Sequence, residues 1–376
     1  MAKIDDYLDY EEQFHSKGKR ENRKERRETR AKDRSKYKKS DRDQKKQHLK
    51  NGEPPLGANY LRGHVLTISP DMITVSSGHE TYLCTLRGSL KKEKTKHKNL
   101  ITVGDWVHFE KKSEDSGTIA HIEKRTSFLI RAENLSMRKQ QLIASNIDQV
   151  FIVMSVVSPK FKPLLVDRYI LSAKKGNMEP IVLINKIDLL NAPPETISEE
   201  EVSAEKSSFE EFLGIYNPLD ISIIPLSVST GENLDQLKKL MENKTSVFSG
   251  QSGGGKSSLI NAVLGSQLPI GPIALKTNKG SHTTTAAELI PIKNDGFCID
   301  TPGIKSFGLW ENDPSSILEI FPDFLALAPD CKFPNCTHMH EPDCAIIKAI
   351  EEKTIHPFRY ASYTTLLEDT PPKEWE

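Results

Sequence analysis

Three modules are predicted for this chain of 376 residues: an N-terminal OB-fold β-barrel, a central α/β domain of P-loop type whose chain order is circularly permuted, and a small helical C-terminal domain organised by a metal ion. Three observations carry that prediction. Short alternating segments punctuated by turn residues run through 60–123, apolar strands alternate with helical stretches through 148–299 around a glycine-rich loop, and three cysteines crowd with His338 into 331–344, where His340 also lies. The expected divisions are a basic extension over 1–55, the barrel over 56–130, the α/β domain over 131–312 and the metal domain over 313–376.

The extension comes first. Lys plus Arg and Asp plus Glu each number 52, so the formal charge is zero, yet residues 17–50 hold 17 Lys and Arg against 6 acids. A stretch of that kind, without apolar periodicity, cannot bury a core and is expected to be disordered or a solvated helix. It reads as a nucleic-acid arm, which gains affinity for phosphate backbones by counterion release, with a solubilising tail as the alternative. No apolar run approaches the roughly 20 residues that span a bilayer, and the charged N-terminus has no apolar segment after it. A cytoplasmic monomer without membrane contact is expected.

The barrel is read from segments at 60–69, 80–86, 99–111 and 117–123, with Gly104 and Asp105 as a tight turn before the strand-like Trp106 to Phe109. About 65 residues suit a five-stranded OB-type barrel. Such barrels take RNA through basic and aromatic side chains, and Arg62, Lys91, Lys92, Lys94, Lys96 and Lys98 supply charge. An SH3-like barrel acting as a spacer is the alternative.

In the α/β domain, residues 131–146 read as a connection, 148–157 as a strand, 164–175 as a helix and 180–184 as a buried strand. Strands at 221–226, 246–249, 288–292 and 296–299 complete a doubly wound parallel core, and 195–206 reads as an exposed polar insertion. Asn185-Lys186-Ile187-Asp188 follows the buried strand, so its polar residues emerge at the carboxyl end where open α/β sheets bind ligands. A carboxylate at Asp188 accepts from guanine N1–H and its exocyclic amine, a donor pair that adenine lacks. Ser227 to Thr230 offers a second guanine-contacting loop.

Gly250-Gln251-Ser252-Gly253-Gly254-Gly255-Lys256-Ser257, continued by Ser258, matches the phosphate-loop pattern between a strand and a helix over 257–264. The glycines let successive N–H groups face phosphate oxygens, the helix N-terminus adds positive potential, Lys256 reaches the β/γ-phosphates and Ser257 ligates Mg²⁺. ATPases share this loop, so the base is decided by Asp188. The order is reversed from that of an ordinary GTPase, where the phosphate loop precedes N-K-x-D, and this reversal is what predicts permutation.

Asp300-Thr301-Pro302-Gly303 at a strand end supplies a water-mediated Mg²⁺ ligand in Asp300 and a γ-phosphate contact at Gly303. Among Thr283, Thr284 and Thr285, Thr284 is favoured to complete the magnesium shell. Ile304 stands where Ras-like GTPases place a water-orienting Gln. His282 is the candidate catalytic residue in its stead, because a neutral imidazole can position or deprotonate water near pH 7. A surface-loop histidine, or a group supplied by a partner, is the alternative, and slow intrinsic turnover is expected.

Cys331, Cys336, His338 and Cys344 offer four soft ligands for one structural, tetrahedral Zn²⁺. His340 is the rival ligand. A disulfide is disfavoured in a reducing compartment. Cys84 and Cys298 lie in apolar, strand-like contexts and read as buried core thiols.

With these motifs in hand, the chain from residue 60 onward resembles the family of ribosome small subunit-dependent GTPases A. The resemblance implies an OB-fold, a circularly permuted GTPase domain and a C-terminal zinc domain. It also implies action late in small-subunit assembly, with GTP hydrolysis following binding to the ribosome and its rRNA and leading to release. By position it implies guanine contacts at Asn185, Lys186 and Asp188, phosphate contacts from Gly250 to Ser258, zinc on the three cysteines and His338, and a catalytic role for His282. Ser281 departs from the basic residue, and Gly254 from the small aliphatic one, that the family often carries. A GTP-driven assembly factor is therefore expected, against a passive RNA-binding module as the second reading.

Overall fold

The computed structural model describes residues 60–90, 99–130, 142–265, 287–300 and 314–368. The basic extension, the lysines of 91–98, and His282, Thr283, Thr284, Thr285 and Gly303 lie outside them, and of Asp300 only the backbone is described.

The barrel consists of β1 (Tyr60–Ile68), β2 (Ile73–Ser77), β3 (Glu80–Leu86), β4 (Trp106–Lys111) and β5 (Ser116–Ile122). It closes in the order β1-β2-β3-β5-β4, with β3 and β5 parallel and the other pairs antiparallel, which makes it OB-like. Inward positions alternate along each strand as a half-buried strand demands: Val65, Val75, Tyr82, Cys84, Val107, Phe109 and Ile119 fill the interior. Two sequence expectations change. Strand β2, whose Ile73 and Val75 point inward, falls between the expected segments, and the 99–111 segment is strand only from Trp106. Residues before it are spent on the Gly104–Asp105 turn and on a bridge between Val103 and Ala144.

That turn joins the barrel to a short hairpin, β6 (Phe128–Ile130) with β7 (Leu142–Ser145), so part of the expected connection is strand. A Cβ on Gly104 would sit 2.1 Å from the carbonyl oxygen of Ser145 at the hairpin's end. The fully buried Asp105 accepts from Arg125 at 2.7 and 2.8 Å and from the Ser145 hydroxyl at 2.6 Å.

The central sheet runs through β8 (Gln149–Ser155), α1 (Leu164–Lys175), β9 (Glu179–Asn185), α2 (Glu199–Tyr216), β10 (Ile223–Pro225), α3 (Leu234–Leu240), β11 (Thr245–Gly250), α4 (Lys256–Leu264), β12 (Glu288–Pro291) and β13 (Phe297–Asp300). Its order is β10-β9-β8-β11-β13-β12. Every neighbour pair is parallel except β12 with β13, so the parallel core expected from the sequence carries one antiparallel edge strand. The turn at Asn294 and Asp295, both at positive φ, reverses the chain between them and leaves no room for a crossover helix.

Strands buried on both faces read as continuous apolar runs. Val150, Ile152 and Met154 of β8 face α1, α2 and the C-terminal module, while Phe151 and Val153 face α3 and α4. Within the expected exposed insertion at 195–206, residues 199–206 form the start of α2 while remaining largely exposed. Ser198 and Glu201 form a capping box, and Phe209, Phe212 and Tyr216 of the same helix are buried against the sheet. A polar first half concealed the helix because its buried side chains, Phe209, Phe212 and Tyr216, all lie in the second half.

The C-terminal module comprises α5 (Pro314–Leu318), α6 (Pro322–Leu325), α7 (Ala345–Glu351) and α8 (Pro357–Glu368). Phe321, Phe324, Ile346 and Tyr363 continue the apolar core of the central sheet. At its centre Arg359, 1% exposed, donates to Asp167 of α1 and to Asp323 of α6, and its guanidinium lies 4.2 Å from the Phe321 ring centroid.

Candidate functional site

Three motifs separated in the chain meet at the carboxyl edge of the sheet. In the parallel register Ser155 pairs with Asn185 and Gly250 with Val153, so the ends of β8, β9 and β11 deliver their following loops to one place. Asn185 is buried and donates from Nδ2 to the Gly254 carbonyl at 2.9 Å, while its Oδ1 accepts from the Lys186 N–H at 2.8 Å. Lys186 has φ +66, a left-handed backbone costing about 1–2 kcal/mol for a residue with a Cβ. Its ammonium donates to the carbonyls of Ser158 at 2.6 Å and Gly253 at 3.0 Å.

The turn at Lys186 starts a 3₁₀ segment, Ile187–Leu190, that presents Asp188. The Ser227 hydroxyl donates to Asp188 Oδ1 at 2.6 Å and accepts from the Thr230 N–H at 3.2 Å. Ser227 thereby joins the N-K-I-D segment to the loop after β10 and orients the carboxylate. Burial lowers the Lys186 ammonium below its usual range, against an opposing pull from Asp188.

Two glycines of the phosphate loop are required by close approach. A Cβ on Gly250, at φ +127, would lie 2.1 Å from the Val153 carbonyl oxygen, and one on Gly255, at φ +93, 2.3 Å from Asn185 Nδ2. Lys256 donates to the carbonyls of Gly250 at 3.0 Å and Gln251 at 2.8 Å, and burial pushes its ammonium below the ordinary lysine range. An ammonium has three donors, so a phosphate oxygen can be met by the third. Ser257 is exposed in the first turn of α4, and Ser258 follows it. Gln251 differs from its neighbours: its N–H donates to the Val153 carbonyl at 2.8 Å and its side chain binds protein groups on both sides.

The C-terminal cluster is equally compact. The ligand atoms of Cys331, Cys336, His338 and Cys344 lie within 4.8 Å of one another, a group that can hold a metal ion. His338 Nδ1 is 3.6 Å from Cys331 Sγ and 3.5 Å from Cys344 Sγ, and those two sulfurs are 3.9 Å apart. His340 is exposed and stands outside the cluster. Burial, then the neighbouring Cys344 and Cys331, push the Cys336 thiol up to about 12.

Glu341 holds the turn that carries these ligands. Its carboxylate accepts from the Thr337 N–H and hydroxyl, both at 2.7 Å, and from the Met339 and His340 N–H groups at 3.1 and 3.2 Å. Burial alone would raise this carboxyl; the Thr337 bonds and the other backbone donors outweigh it and hold the group well below the carboxylate range. Cys84 and Cys298 are buried in the barrel and in the sheet respectively.

Residues 63–119 match the RsgA N-terminal domain, and residues 122–310 match RsgA GTPase. The chain belongs to the RsgA GTPase family. Among RsgA relatives, "Small ribosomal subunit biogenesis GTPase RsgA" of Flavobacterium johnsoniae is 36% identical over 314 residues, covering 82% of this chain and 93% of that protein. "Small ribosomal subunit biogenesis GTPase RsgA 2" of Bacteroides thetaiotaomicron is 34% identical over 287 residues, covering 76% and 89%. The crystal structure of YjeQ from Thermotoga maritima superposes with a TM-score of 0.66 at 28% identity, over 84% of this chain and all of that one. YloQ, described as a circularly permuted GTPase, has a TM-score of 0.64 at 24% identity, over 85% of this chain and 99% of its own, a likeness of fold alone.

Several features of this RsgA-family chain leave little trace in its motifs. The Arg359, Asp167, Asp323 and Tyr216 network joins residues far apart in sequence, with no local pattern to mark it. The side-chain bonds of Gln251 are equally hidden. Glu341 has a detectable signal, a short acidic side chain's reach from Thr337 within a cysteine-histidine turn.

Proposed function

We propose that this chain is a GTPase that binds the small ribosomal subunit and its rRNA late in assembly, hydrolyses GTP when the subunit stimulates it, and is released by that hydrolysis. The single observation that carries the reading is the junction of Asn185 with the Gly254 carbonyl, which ties a guanine-type N-K-I-D loop to a phosphate loop from the other side of the permuted chain. The relatives' names supply the biological setting. Asp188, oriented by Ser227, reads the guanine edge with Asn185, Lys186 and Ile187 around it, and Gly250 to Ser258 surround the phosphates.

Mg²⁺ would be held by Ser257, by Thr284 and through water by Asp300, with Gly303 at the γ-phosphate; the ion neutralises charge developing on the phosphate oxygens. His282 would position the attacking water. GTP would order residues 283–285 and 300–303, and the ordered form would engage the subunit.

The metal is proposed to be zinc. Tetrahedral geometry with Zn–S of about 2.3 Å and Zn–N of about 2.0 Å sets S···N at about 3.5 Å and S···S at about 3.8 Å; the 3.5, 3.6 and 3.9 Å among Cys331, His338 and Cys344 fit that frame, and Cys336 completes a group within 4.8 Å. Four protein ligands close the site, so the ion would be structural. No helix among the described residues is long and apolar enough to cross a membrane; we further propose that the protein works in the cytoplasm as a monomer.

Single-turnover GTP hydrolysis with and without purified small subunits tests the proposal. Acceleration by subunits is expected; equal rates would favour the passive RNA-binding reading.

A further inference from the structure

Three successive carbonyls after β8 each accept a hydrogen bond from a different part of the nucleotide site. Ser158 C=O accepts from the Lys186 ammonium at 2.6 Å, Pro159 C=O from the Ser155 hydroxyl at 3.1 Å, and Lys160 C=O from Gln251 Nε2 at 2.7 Å. Gln251 completes the arrangement by accepting at Oε1 from the Ser155 N–H at 3.3 Å and hydroxyl at 3.4 Å. The side chain lies within the phosphate loop's own sequence, is 4% exposed, and directs both its Oε1 and its Nε2 to β8 and the segment behind it.

That segment touches the loop directly as well. A Cβ built on Gly253 would rest 3.4 Å from the Pro159 ring, and the Gly253 carbonyl takes the second bond of the Lys186 ammonium. On the far side, Glu205 of α2 accepts from the N–H groups of Val157 at 3.1 Å and Phe161 at 2.9 Å, so the segment is anchored at both of its ends. Lys160 is further paired with Glu201 at 2.9 Å.

We propose that residues 158–160 form a bridge between the base-reading and phosphate-binding loops, and that Gln251 is the positioning residue that keeps the bridge in register. An ammonium sharing its bonds between Ser158 and Gly253 can hold its place over a bound base only if both carbonyls are stationary. Gln251 fixes the first of them from two residues away. Rather than meeting a phosphate, its side chain transmits the set of the phosphate loop to Lys186. The inference rests on the nucleotide-binding reading above and adds to it a residue whose role is indirect.

The experiment is a double-mutant cycle on the full chain, reading GDP affinity by calorimetry in Mg²⁺. Gln251→Met keeps the volume of the side chain and removes both of its amide interactions. Alone it is expected to weaken GDP about 10-fold. Combined with Lys186→Ala, it is expected to add less than about 2-fold to the loss from Lys186→Ala, because residues acting through one another are non-additive. Combined with Asp188→Asn, whose carboxylate is held by Ser227 instead, the two losses multiply. Full multiplication with Lys186→Ala as well would overturn the bridge. Should Gln251→Met fail to fold, Ser155→Ala, which removes a bond to Pro159 and one to Gln251, carries the same cycle. If wild-type protein binds no GDP, the nucleotide-site reading fails instead, which keeps the two outcomes distinct.

Discussion

Asp167 and Arg359, 192 positions apart in the chain, meet at 2.7 Å with neither side chain more than 1% exposed. Around them Tyr216 and Ser362 donate to the other oxygen of Asp167 at 2.6 and 2.5 Å, and Asp323 takes two further guanidinium bonds at 3.0 Å. The pair fastens α8, and with it the cysteine-histidine module, to helix α1 of the central domain. Burial alone would lower the arginine; Asp167 and Asp323 outweigh it and hold the guanidinium protonated.

Asp167→Asn is expected to destabilise the protein by about 3–5 kcal/mol, because it leaves a buried guanidinium without its main counter-charge. Urea unfolding followed by tryptophan fluorescence measures this. The double variant Asp167→Leu with Arg359→Met should recover only part of the loss, since it removes the buried charge pair but leaves Asp323 and the Tyr216 and Ser362 hydroxyls without their partners.

Asp188→Asn should weaken GDP binding by roughly 100-fold, or about 3 kcal/mol, as the carboxylate's two acceptor bonds are replaced by one acceptor and one mismatched donor. Calorimetry checks it. Ser227→Ala should give a smaller loss of the same kind, about 1 kcal/mol, because it removes only the bond that orients the carboxylate.

Gly250→Ala should abolish measurable nucleotide binding while leaving barrel and metal module folded. Its new methyl would press on the Val153 carbonyl oxygen at the carboxyl end of the β8–β11 pairing, and β11 would have to shift from β8. Circular dichroism with a nucleotide-binding assay separates the two effects.

His64 supplies a pH signature. It stacks on Trp106 with ring centroids 4.1 Å apart, meets Phe297 of β13 edge-on, and is bound to the Gly104 carbonyl at 3.0 Å. Burial lowers it to about 4, against a usual value near 6.5. The unfolded chain therefore binds a proton that the folded one refuses between those values. Stability is retained above pH 6.5 and falls by up to about 3 kcal/mol as the pH drops toward 4. His64→Phe should flatten that part of a stability-versus-pH curve.

Metal removal should act locally. Chelation is expected to expose three titratable thiols, since Cys331, Cys336 and Cys344 must be deprotonated to bind a cation and Cys336 resists ionisation up to about 12 without one. Thiol titration, with parallel proton-release calorimetry on adding Zn²⁺, measures this. Proton release of about three per ion at pH 7 is the expected result.

The parts of this protein legible in the sequence are those whose chemistry is written in contiguous residues. Gly250 to Ser257 is recognisable by the backbone geometry its glycine spacing imposes, Asn185 to Asp188 by polar side chains set on one short turn after a buried strand, and the cysteine-histidine turn gathers its four side chains within fourteen positions, so each announces itself locally. The reversed order of the first two by itself implies permutation. The tertiary structure decided what distance conceals: that the sheet runs β10-β9-β8-β11-β13-β12 with one antiparallel edge, that the polar start of α2 belongs to a packed helix, and that Gln251 faces residues 158–160. It also decided that Arg359 meets Asp167. Periodicity records which face of an element is buried, but the partner of a buried polar group is chosen by whichever side chain the packed elements bring within about 3 Å, and no local pattern records that choice.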